Sequence, residues 1–334
     1  MNNCKEMPNS ALITGILGQD GIYLTKFLYL KNYSIYGMVR NLDRNIVRNF
    51  EAQFPKVKLL KGDLSSASDV QKVIESTRPT EIYNLGGVSS VYKSFNNPEL
   101  FVNINGLGVL RILEAIKNLE FEKITKIFQA SSSEIFGNSN DKPQNENSLI
   151  NPITPYGFAK AFAHQISNYY RKNFGIFVAC GITYNHESEL RGEEFVTRKI
   201  TSNLAKIKLK KLNKFSLGDL NSKRDWGYAG DYVKAMWLML QQENPEDFII
   251  STGVQHSVME FVECSMREIG LYGKISDYID IEDSNFRKTD TSNLVGDNSK
   301  ARNVLGWKPS YSFQDLVRVM ARHDLDLEMR KGHD

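Results

Sequence analysis

Two short segments carry side chains that could oxidise an alcohol: residues 131–137 (SSSEIFG) and residues 156–160 (YGFAK). Tyr156 and Lys160 are four residues apart, so on a helix their side chains lie on the same face. A lysine ammonium placed there can lower the pKa of the tyrosine phenol, which makes the phenol a usable base near neutral pH. A serine hydroxyl from the end of the preceding strand would complete an alcohol-oxidising site.

Glu134 adds a second proton acceptor to this set, and a simple alcohol oxidation does not need one. A base beyond the serine, tyrosine and lysine indicates a reaction that also removes a proton from carbon. The alternative is that Glu134 caps a helix or lies on the surface as a solvated carboxylate.

Residues 15–21 (GILGQDG) resemble a dinucleotide-binding turn between a strand and a helix. Their glycines would permit a tight turn, the close approach of a pyrophosphate and close packing of helix on strand, and the helix N-terminus favours negative charge. The spacing is GxxGxxG rather than GxGxxG, and a turn with incidental glycines is the alternative. The candidate cofactor residues here are Gly15, Gly18, Gln19, Asp20 and Gly21.

An arginine at the end of the second strand predicts which nicotinamide nucleotide binds. An acidic residue there would hydrogen-bond the ribose diol of NAD, but this strand ends at Arg40, with Arg44 and Arg48 following. Guanidinium groups suit a 2′-phosphate, so we expect NADP, with Arg40 beside its phosphate. The alternative is that Arg44 and Arg48 are solvated helix residues. Further cofactor contacts are expected after the third and fourth strands, at Asp63, Leu64, Leu85 and Gly86.

Short apolar runs alternate with longer amphipathic segments between residues 11 and 183. The runs predict strands at residues 11–14, 34–39, 57–60, 81–85, 126–130 and 176–182. Helices are expected between them, as at residues 20–31, 68–76, 98–118 and 155–173. The alternation predicts right-handed βαβ units and a parallel sheet, because fully apolar strands fit burial on both faces.

After about residue 184 the alternation ends, although residues 231–242 and 247–251 look like a further helix and strand of the first domain. We therefore predict an α/β protein: a Rossmann-type doubly wound parallel sheet with a smaller, discontinuous α+β substrate-binding lobe. The expected NADP-binding domain is residues 1–184, rejoined by about 226–252, and the expected substrate lobe is residues 185–225 and 253–334.

The composition argues against several classes of protein. Of 334 residues, 41% are apolar and 24% are charged; the net charge is only +3, so no nucleic-acid partner is expected. Cys4, Cys180 and Cys264 form no CxxC pair, which argues against a metal site or a disulfide framework and fits a reducing cytoplasm. No run approaches the roughly 20 apolar residues that span a bilayer, so we expect no membrane association and a cytoplasmic location.

Together, the glycine turn, the Asp63-Leu64 pair, the serine-rich strand end and the YxxxK helix resemble those of an extended short-chain dehydrogenase/reductase. Over nearly its whole length the chain is similar to the GDP-mannose 4,6-dehydratases, a family of sugar-nucleotide dehydratases. The NHES and KRDWG blocks are far more specific than the glycine motif. The segments concerned are residues 15–21, 131–137, 154–160 (TPYGFAK), 185–201 (NHESELRGEEFVTRKIT), 218–240 (GDLNSKRDWGYAGDYVKAMWLML) and 296–309 (GDNSKARNVLGWKP).

The resemblance implies a lyase whose dehydration begins and ends with hydride transfer and consumes no external reductant. Tyr156, as phenolate, would take the hydroxyl proton at sugar carbon 4 while the hydride goes to NADP⁺. Ser132 stands where the family has a Thr or Ser that hydrogen-bonds that oxygen. Glu134 would remove the proton from carbon 5, the carbon 6 hydroxyl would leave, and the same NADPH would return its hydride to carbon 6.

The group that protonates the departing hydroxyl is open. Dehydratases of the dTDP-glucose type carry an Asp just before the Glu, whereas this chain has Ser133, as GDP-mannose enzymes also do. Glu134 or Tyr156 could act twice. The expected catalytic set is Ser132, Ser133, Glu134, Tyr156 and Lys160.

By resemblance, the second lobe holds most of the GDP. Asn185 and Arg224 would contact the pyrophosphate with help from Arg287, and guanidinium groups suit phosphate on chemical grounds as well. Salt bridges are the alternative for both arginines. The other expected substrate contacts are Val196 and Lys199 near guanine, Asp290 at the ribose hydroxyls, Ser90 and Gly218. Ser89, His186 and Arg191 complete the expected cofactor contacts, the last two from the family's cofactor and subunit-contact region.

Departures from the family near the sugar leave its identity open. Residues 84–91 read NLGGVSSV where relatives read NLAAQSHV, and in residues 286–290 (FRKTD) Lys288 replaces a Pro and Asp290 a Glu. Smaller side chains beside the sugar could make room for a larger one. GDP-mannose and GDP-D-glycero-D-manno-heptose are therefore both candidate substrates.

Two other functions and the oligomeric state complete the expectations. An epimerase or 4-reductase of the same superfamily would keep the serine, tyrosine and lysine but usually lacks Glu134, and a non-catalytic NADP sensor would have lost Tyr156 or Lys160. Family members form homodimers or homotetramers, so a homo-oligomer is expected. The altered loop at residues 41–45 (NLDRN) leaves the choice between them open.

Overall fold

A seven-stranded sheet organises this computed structural model, which describes residues 9–282 and 294–331. The strands within these described residues are β1 (Ser10–Thr14), β2 (Ser34–Val39), β3 (Lys58–Lys61), β4 (Glu81–Asn84), β5 (Lys126–Ser132), β6 (Val178–Thr183), β7 (Asn185–Glu187), β8 (Phe215–Leu217), β9 (Lys223–Arg224), β10 (Trp226–Tyr228), β11 (Phe248–Ile250), β12 (His256–Ser257) and β13 (Ile279–Ile281). The order in the large sheet is β11-β6-β5-β4-β1-β2-β3. The direction of strand addition reverses between β1 and β4, where ligands bind in sheets of this kind.

Helices connect and follow these strands. They are α1 (Gln19–Leu30), α2 (Asn45–Gln53), α3 (Ala67–Thr77), α4 (Val91–Ser94), α5 (Pro98–Phe101), α6 (Gly108–Asn118), α7 (Pro155–Phe174), α8 (Val196–Lys208), α9 (Ala229–Leu240), α10 (Val258–Glu268), α11 (Ile275–Tyr278), α12 (Ser299–Leu305) and α13 (Phe313–Arg330). A π-helical segment covers Val102–Leu107, and a 3₁₀ turn covers Ser133–Ile135. No helix in residues 9–282 and 294–331 is both long and apolar enough to cross a membrane.

The chain forms two compact units. Among the described residues, the first comprises those up to Ile135, Pro152–Ile182 and Val233–Phe248. All residues of β1 and β4 are buried, and β1 pairs in parallel with both β2 and β4. Apolar side chains of the sheet pack against α3, α6 and α7, and this core includes Leu12, Ile82, Ile112, Ile116 and Ala163.

The second unit comprises Phe136–Asn151, Thr183–Tyr232 and the described residues from Ile249 onward. Its core joins α8, α10 and α13, with Leu204, Phe261 and Met320 among the buried side chains. Ser257 and Ser312 begin α10 and α13 with capping boxes, which satisfy the first backbone N–H groups of each helix.

The predicted α/β class and the six predicted strands of the first 183 residues are confirmed, with strand ends shifted by one or two residues. The predicted helix at residues 98–118 is interrupted: α5 and α6 are separated by the π-helical segment. A π-turn accommodates an extra residue within a helix. Here it places Asn105 where its side chain accepts a hydrogen bond from Val88 N (2.8 Å) and donates one to Val88 O (2.9 Å).

The turn between β1 and α1 depends on the missing side chains of its glycines. Gly15 has φ +70°, and a Cβ built there would lie 2.8 Å from both Gly86 N and Leu85 O. A Cβ on Gly21 would lie 2.4 Å from Gly15 O. All these neighbours are backbone atoms, which cannot move aside cheaply. The turn therefore lies against the loop that follows β4.

Replacing Gly15 separates the effect of close packing from that of backbone conformation. Gly175 has a similar φ of +65°, but nothing lies within 4 Å of a Cβ built there. Gly175→Ala should cost about 1 kcal/mol of unfolding free energy from conformation alone. Gly15→Ala should cost about 1–3 kcal/mol more, because the methyl group must displace backbone. Urea denaturation of both variants measures the difference; equal losses would contradict the close approach.

Candidate active site

The catalytic candidates lie at the end of β5 and at the start of α7. β5 ends at Ser132, and the 3₁₀ turn that follows carries Ser133 and Glu134. Glu134 N lies 3.3 Å from Ser132 Oγ, to which it donates a hydrogen bond, so the turn also fixes the serine side chain. Ser132 and Ser133 are both buried, whereas Glu134 is only partly so.

Helix α7 begins directly against this turn. Thr154 caps the helix by accepting a hydrogen bond from Gly157 N (3.0 Å), and Pro155 occupies the first turn, where no N–H is needed. A Cβ on Gly157 would lie 2.7 Å from Glu134 O. The absence of that side chain lets the helix that carries Tyr156 approach the turn that carries Glu134.

Tyr156 and Lys160 occupy successive turns of α7, as the spacing predicted. The Lys160 ammonium lies 5.8 Å from the centroid of the Tyr156 ring and donates a hydrogen bond to Ala130 O (2.9 Å) in β5. Phe101 packs edge-on against the Tyr156 ring, with centroids 6.2 Å apart. Burial lowers the pKa of Lys160 to about 8, and the Asp20 carboxylate opposes that change. Such a lysine can change its charge close to physiological pH.

The expected cofactor residues of the first unit gather at the carboxyl ends of β1 to β4. Gly86 N donates to Thr14 Oγ1 (2.9 Å), and Leu64 lies so close that a Cβ on Gly86 would be 2.7 Å from its Cδ1. Asp63 accepts a hydrogen bond from Ser65 N (2.8 Å), which shapes the loop after β3. Arg40 directly follows β2 and is exposed.

The segment after β4 contains a residue that the sequence interpretation missed. Asn105 is buried, and its two hydrogen bonds to Val88 fix the loop that leads to the candidates Ser89 and Ser90. Ser90 caps α4 by accepting a hydrogen bond from Lys93 N (3.3 Å), while Ser89 is exposed. The available signal was the pair of asparagines, Asn103 and Asn105, among the apolar residues of the segment 102–107.

In the second unit, the NHES block is built around a buried carboxylate. Glu187 accepts a hydrogen bond from Thr197 Oγ1 (2.7 Å) and forms an ion pair with Arg191 (3.2 Å). His186 stacks on Tyr232, with ring centroids 4.6 Å apart, and its Nδ1 lies 2.8 Å from Tyr184 O. Since Thr197 lies in the first turn of α8, Glu187 fixes the start of the helix. That helix carries the candidates Val196 and Lys199.

Arg224 and Asn185 lie near the same end of a two-stranded sheet. β7 and β10 are parallel with Asn185 opposite Trp226, and Arg224 comes two residues before that tryptophan. Asp225, which lies between Arg224 and Trp226 in the sequence, is buried. It accepts hydrogen bonds from Thr252 N and Gly253 N, each 2.9 Å long. Burial raises the pKa of Asp225, and these hydrogen bonds oppose the change. Asp225 thus anchors the strand that carries Arg224.

The other expected substrate residues are only partly placed. Gly218 directly follows β8. Arg287 and Asp290 lie outside the described residues. Within residues 9–282 and 294–331, no group of three or more His, Cys, Asp or Glu side chains could hold a metal ion.

The pKa of Lys160 predicts a pH-dependent contribution to stability. In the unfolded chain the amine binds its proton up to about pH 10.5, whereas in the folded protein it releases it near pH 8. Between these values the unfolded state binds more protons, so this contribution to stability rises with pH. Relative to Lys160→Met, the parental protein should gain about 1–3 kcal/mol between pH 7.5 and about pH 10.

Urea denaturation of both proteins at the two pH values measures this gain, and the comparison cancels the titration of other groups. Lys172→Met, which removes an exposed lysine from the same helix, is the control and should show no such difference. A difference between the parental protein and Lys160→Met that does not change with pH would rule the expectation out.

Known proteins resemble the chain over nearly its full length. A family model described as GDP-mannose 4,6 dehydratase matches residues 12–320. GDP-mannose 4,6 dehydratase 1 of Arabidopsis thaliana is 43% identical over 331 residues, covering 96% of this chain and 91% of its own. The GDP-mannose 4,6-dehydratase of Vibrio cholerae is 39% identical over 366 residues, covering 98% of each chain.

Solved structures share the fold at low identity. UDP-glucose 4-epimerase of Thermotoga maritima aligns with a TM-score of 0.83 and 20% identity, covering 97% of this chain and all of the other. dTDP-glucose 4,6-dehydratase of Bacillus anthracis aligns with a TM-score of 0.82 and 21% identity, covering 96% and 98%. These similarities concern the fold, whereas the family model and the two dehydratases match the sequence along nearly the whole chain. The chain belongs to the GDP-mannose 4,6-dehydratase family.

Proposed function

We propose that this protein is an NADP-dependent hydro-lyase that converts a GDP-manno-configured sugar to its 4-keto-6-deoxy product. The observation that carries the proposal is the position of Glu134, on the turn against which the helix of Tyr156 and Lys160 begins. A carboxylate beside an alcohol-oxidising set provides the second base that a dehydration needs. The family of the chain supports the same reaction.

The catalytic side chains divide the proton transfers and the stabilisation of charge between them in this proposal. Tyr156, as phenolate, takes the proton of the hydroxyl at carbon 4, and Ser132 donates a hydrogen bond to that oxygen. The Lys160 ammonium stabilises the phenolate. The ketone at carbon 4 acidifies carbon 5, and Glu134 removes the proton there. NADP, held at the turn of residues 15–21 and by Arg40, would supply the hydride acceptor for carbon 4 and the hydride donor for carbon 6.

Glu134 is also the proposed proton donor to the departing hydroxyl. Ser133 occupies the position of the expected acid, but a serine hydroxyl is a very weak acid. Glu134 carries the carbon 5 proton at the moment the carbon 6 hydroxyl leaves. Passing that proton on returns the carboxylate to its starting state, so proton removal and water loss balance on one side chain. Carbon 5 needs a new proton when the hydride adds to carbon 6, and Tyr156 would supply the one that it took from the carbon 4 hydroxyl.

Contacts in the first unit support NADP as the cofactor. Gly15 and Gly21 let the turn after β1 pack closely on its neighbours, and the N-cap of α1 is Gly18, which has no side chain to cap the helix. A pyrophosphate suits such a helix N-terminus. Arg40, exposed where β2 ends, would pair with the 2′-phosphate.

Arg40→Ala should weaken NADP⁺ binding about 10- to 100-fold, because a charge-assisted contact to phosphate is lost. The affinity for NAD⁺, which lacks that phosphate, should stay within about threefold. Calorimetric titration of both cofactors measures the two affinities. Lys172→Ala, an exposed change on α7, serves as the control. An equal loss for NAD⁺ and NADP⁺ would argue against a 2′-phosphate contact.

The GDP half is proposed to bind the lobe of residues 185–225 and 253–334. Asn185 and Arg224 would hold the pyrophosphate, and their common position at one end of the β7–β10 pair supports this. Val196 and Lys199, in the first turn of α8, would meet guanine. Gly218 would be a further contact.

The sugar is proposed to be mannose or the manno-heptose that carries one more carbon. The names of the relatives favour GDP-mannose. Val88 favours the larger sugar. It packs against the apolar cluster that contains Tyr156, and its side chain takes up less volume than the glutamine of the relatives would. Ser90, close along the same loop, is likewise small.

Mass spectrometry of the products from GDP-mannose and GDP-manno-heptose tests the reaction and the sugar together. The expected product has lost one water without net consumption of NADPH. An unchanged mass would indicate the epimerase instead, and a clear preference for GDP-mannose would eliminate the heptose.

Glu134→Gln should lower dehydration at least about 100-fold, since the amide cannot accept the carbon 5 proton. Oxidation at carbon 4 should persist and appear as a reduced-nicotinamide absorbance after substrate is added. Glu75→Gln, an exposed change on α3, is the matched control. Full dehydration by Glu134→Gln would overturn the assignment of the base.

A homo-oligomer and a cytoplasmic location complete the proposal. Phe158 and Phe162 project from α7 with 60% and 39% of their surfaces exposed, and Leu100 and Val102 are also exposed. Such an apolar surface supports a homodimer, with a homotetramer as the alternative. Cys180, a buried free thiol, supports a reducing compartment.

A further inference from the structure

A chain of buried hydrogen bonds crosses the carboxyl ends of β1, β4 and β5 and ends at the carbonyl that holds Lys160. Its three side chains, Thr14, Asn84 and Gln129, are at most 4% exposed. The links, in order, are Gly86 N to Thr14 Oγ1 (2.9 Å), Thr14 Oγ1 to Asn84 Oδ1 (2.7 Å), Asn84 Nδ2 to Gln129 Oε1 (2.7 Å) and Gln129 Nε2 to Ala130 O (2.9 Å).

The direction of every link is set by the groups at the two ends of the chain of bonds. Gly86 N–H can only donate and Ala130 O can only accept, and the Thr14 hydroxyl accepts from Gly86 N and donates to Asn84 Oδ1. The amide of Asn84 then presents its NH₂ group to Gln129 Oε1. Gln129 is left with its own NH₂ group facing Ala130 O. The orientation of both amides is therefore set by hydrogen-bond chemistry.

The chain of hydrogen bonds reaches the catalytic lysine at Ala130 O. This oxygen accepts from Gln129 Nε2 and from Lys160 Nζ, each at 2.9 Å. A carbonyl oxygen has two lone pairs, so both are used. Because Gln129 occupies one lone pair of Ala130 O, the Lys160 ammonium must bind along the other. The carbonyl oxygen also has less electron density to share with the ammonium. The titratable groups that act on Lys160 are Asp20 of α1 and Tyr156 of its own helix.

We propose that Gln129 is a positioning residue for the reaction, because it fixes the Ala130 carbonyl that holds the Lys160 ammonium beside Tyr156. The inference rests on the proposed roles of Tyr156 and Lys160. Through Asn84 and Thr14, the same chain of bonds ties the lysine to the backbone of Gly86, which lies against the Gly15 turn. Cofactor turn and catalytic lysine thus share one rigid support.

Two variants of Gln129 and one control test this proposal. Gln129→Leu keeps the approximate size and removes both ends of the amide. In Gln129→Glu a protonated carboxyl can still accept from Asn84 and donate to Ala130 O, whereas an ionised one cannot donate. The control is Thr125→Val. It removes an equally buried bond, from Thr125 Oγ1 to Pro79 O (2.7 Å), just before the opposite end of β5.

Gln129→Leu should lower kcat about 100-fold, as expected when a reacting group moves by about 1 Å, with KM within about threefold. Thr125→Val should keep both constants within about twofold. Gln129→Glu should approach the parental kcat at low pH and fall toward the Leu variant as the introduced carboxyl ionises. A parental kcat in Gln129→Leu, or a Glu variant that follows the Leu variant at every pH, would overturn the proposal.

A second readout needs no substrate. In protein labelled with ¹³C at the lysine ε-carbons, NMR titration follows Lys160, assigned through Lys160→Met. Loss of the Gln129 donor leaves both lone pairs of Ala130 O available to the ammonium, which stabilises the charged lysine. The titration midpoint of Lys160 should therefore move to higher pH in Gln129→Leu and stay unchanged in Thr125→Val.

An unmoved midpoint in Gln129→Leu overturns the proposal even if catalysis changes. If Gln129→Leu does not fold, the pH dependence of kcat in Gln129→Glu and the titration midpoint of its Lys160 test the proposal instead. If the parental protein converts neither GDP-sugar, the proposed function fails alone, because the NMR comparison still tests the link between Gln129 and Lys160.

Discussion

The contact between the start of α7 and the turn after β5 is the constraint on which the catalytic arrangement depends. Residue 157 has no side chain, and a Cβ there would meet the Glu134 carbonyl at 2.7 Å. The helical repeat places Lys160 one turn after Tyr156, and this contact brings their helix close to Ser132 and Glu134. A local spacing and a close approach together therefore define a site that neither would define alone.

The carboxyl edge of the sheet departs from the rule that buried strands are apolar. Thr14, Asn84 and Gln129 are buried polar side chains in strands whose other buried residues include Leu12, Ile82 and Ile127, and their hydrogen bonds satisfy one another. Such polar groups cost stability when any partner is missing. Their concentration at one edge, beside Gly15 and Lys160, fits the general finding that local rules are broken where function requires it.

Patterns that are local in the chain predicted most of the fold and part of the site. Alternating apolar runs predicted the six strands, and the spacing from Tyr156 to Lys160 predicted a shared helical face. The hydrogen bond from Asn84 to Gln129 could not be predicted from the sequence, because it depends on the register of β4 against β5. The roles of Asn185 and Arg224 came from family resemblance, and their common position near one end of the β7–β10 pair could not be read from spacing alone.

The π-helical segment Val102–Leu107 has a consequence for how this part of the chain can vary in length. Deleting one residue would convert the segment to an ordinary α-helix and turn everything before it by about 100° relative to α6. Asn105 would then lose its hydrogen bonds to Val88, and Phe101 would no longer pack against the ring of Tyr156. The extra residue thus acts as a fixed spacer: substitutions can accumulate around it, whereas insertions and deletions cannot.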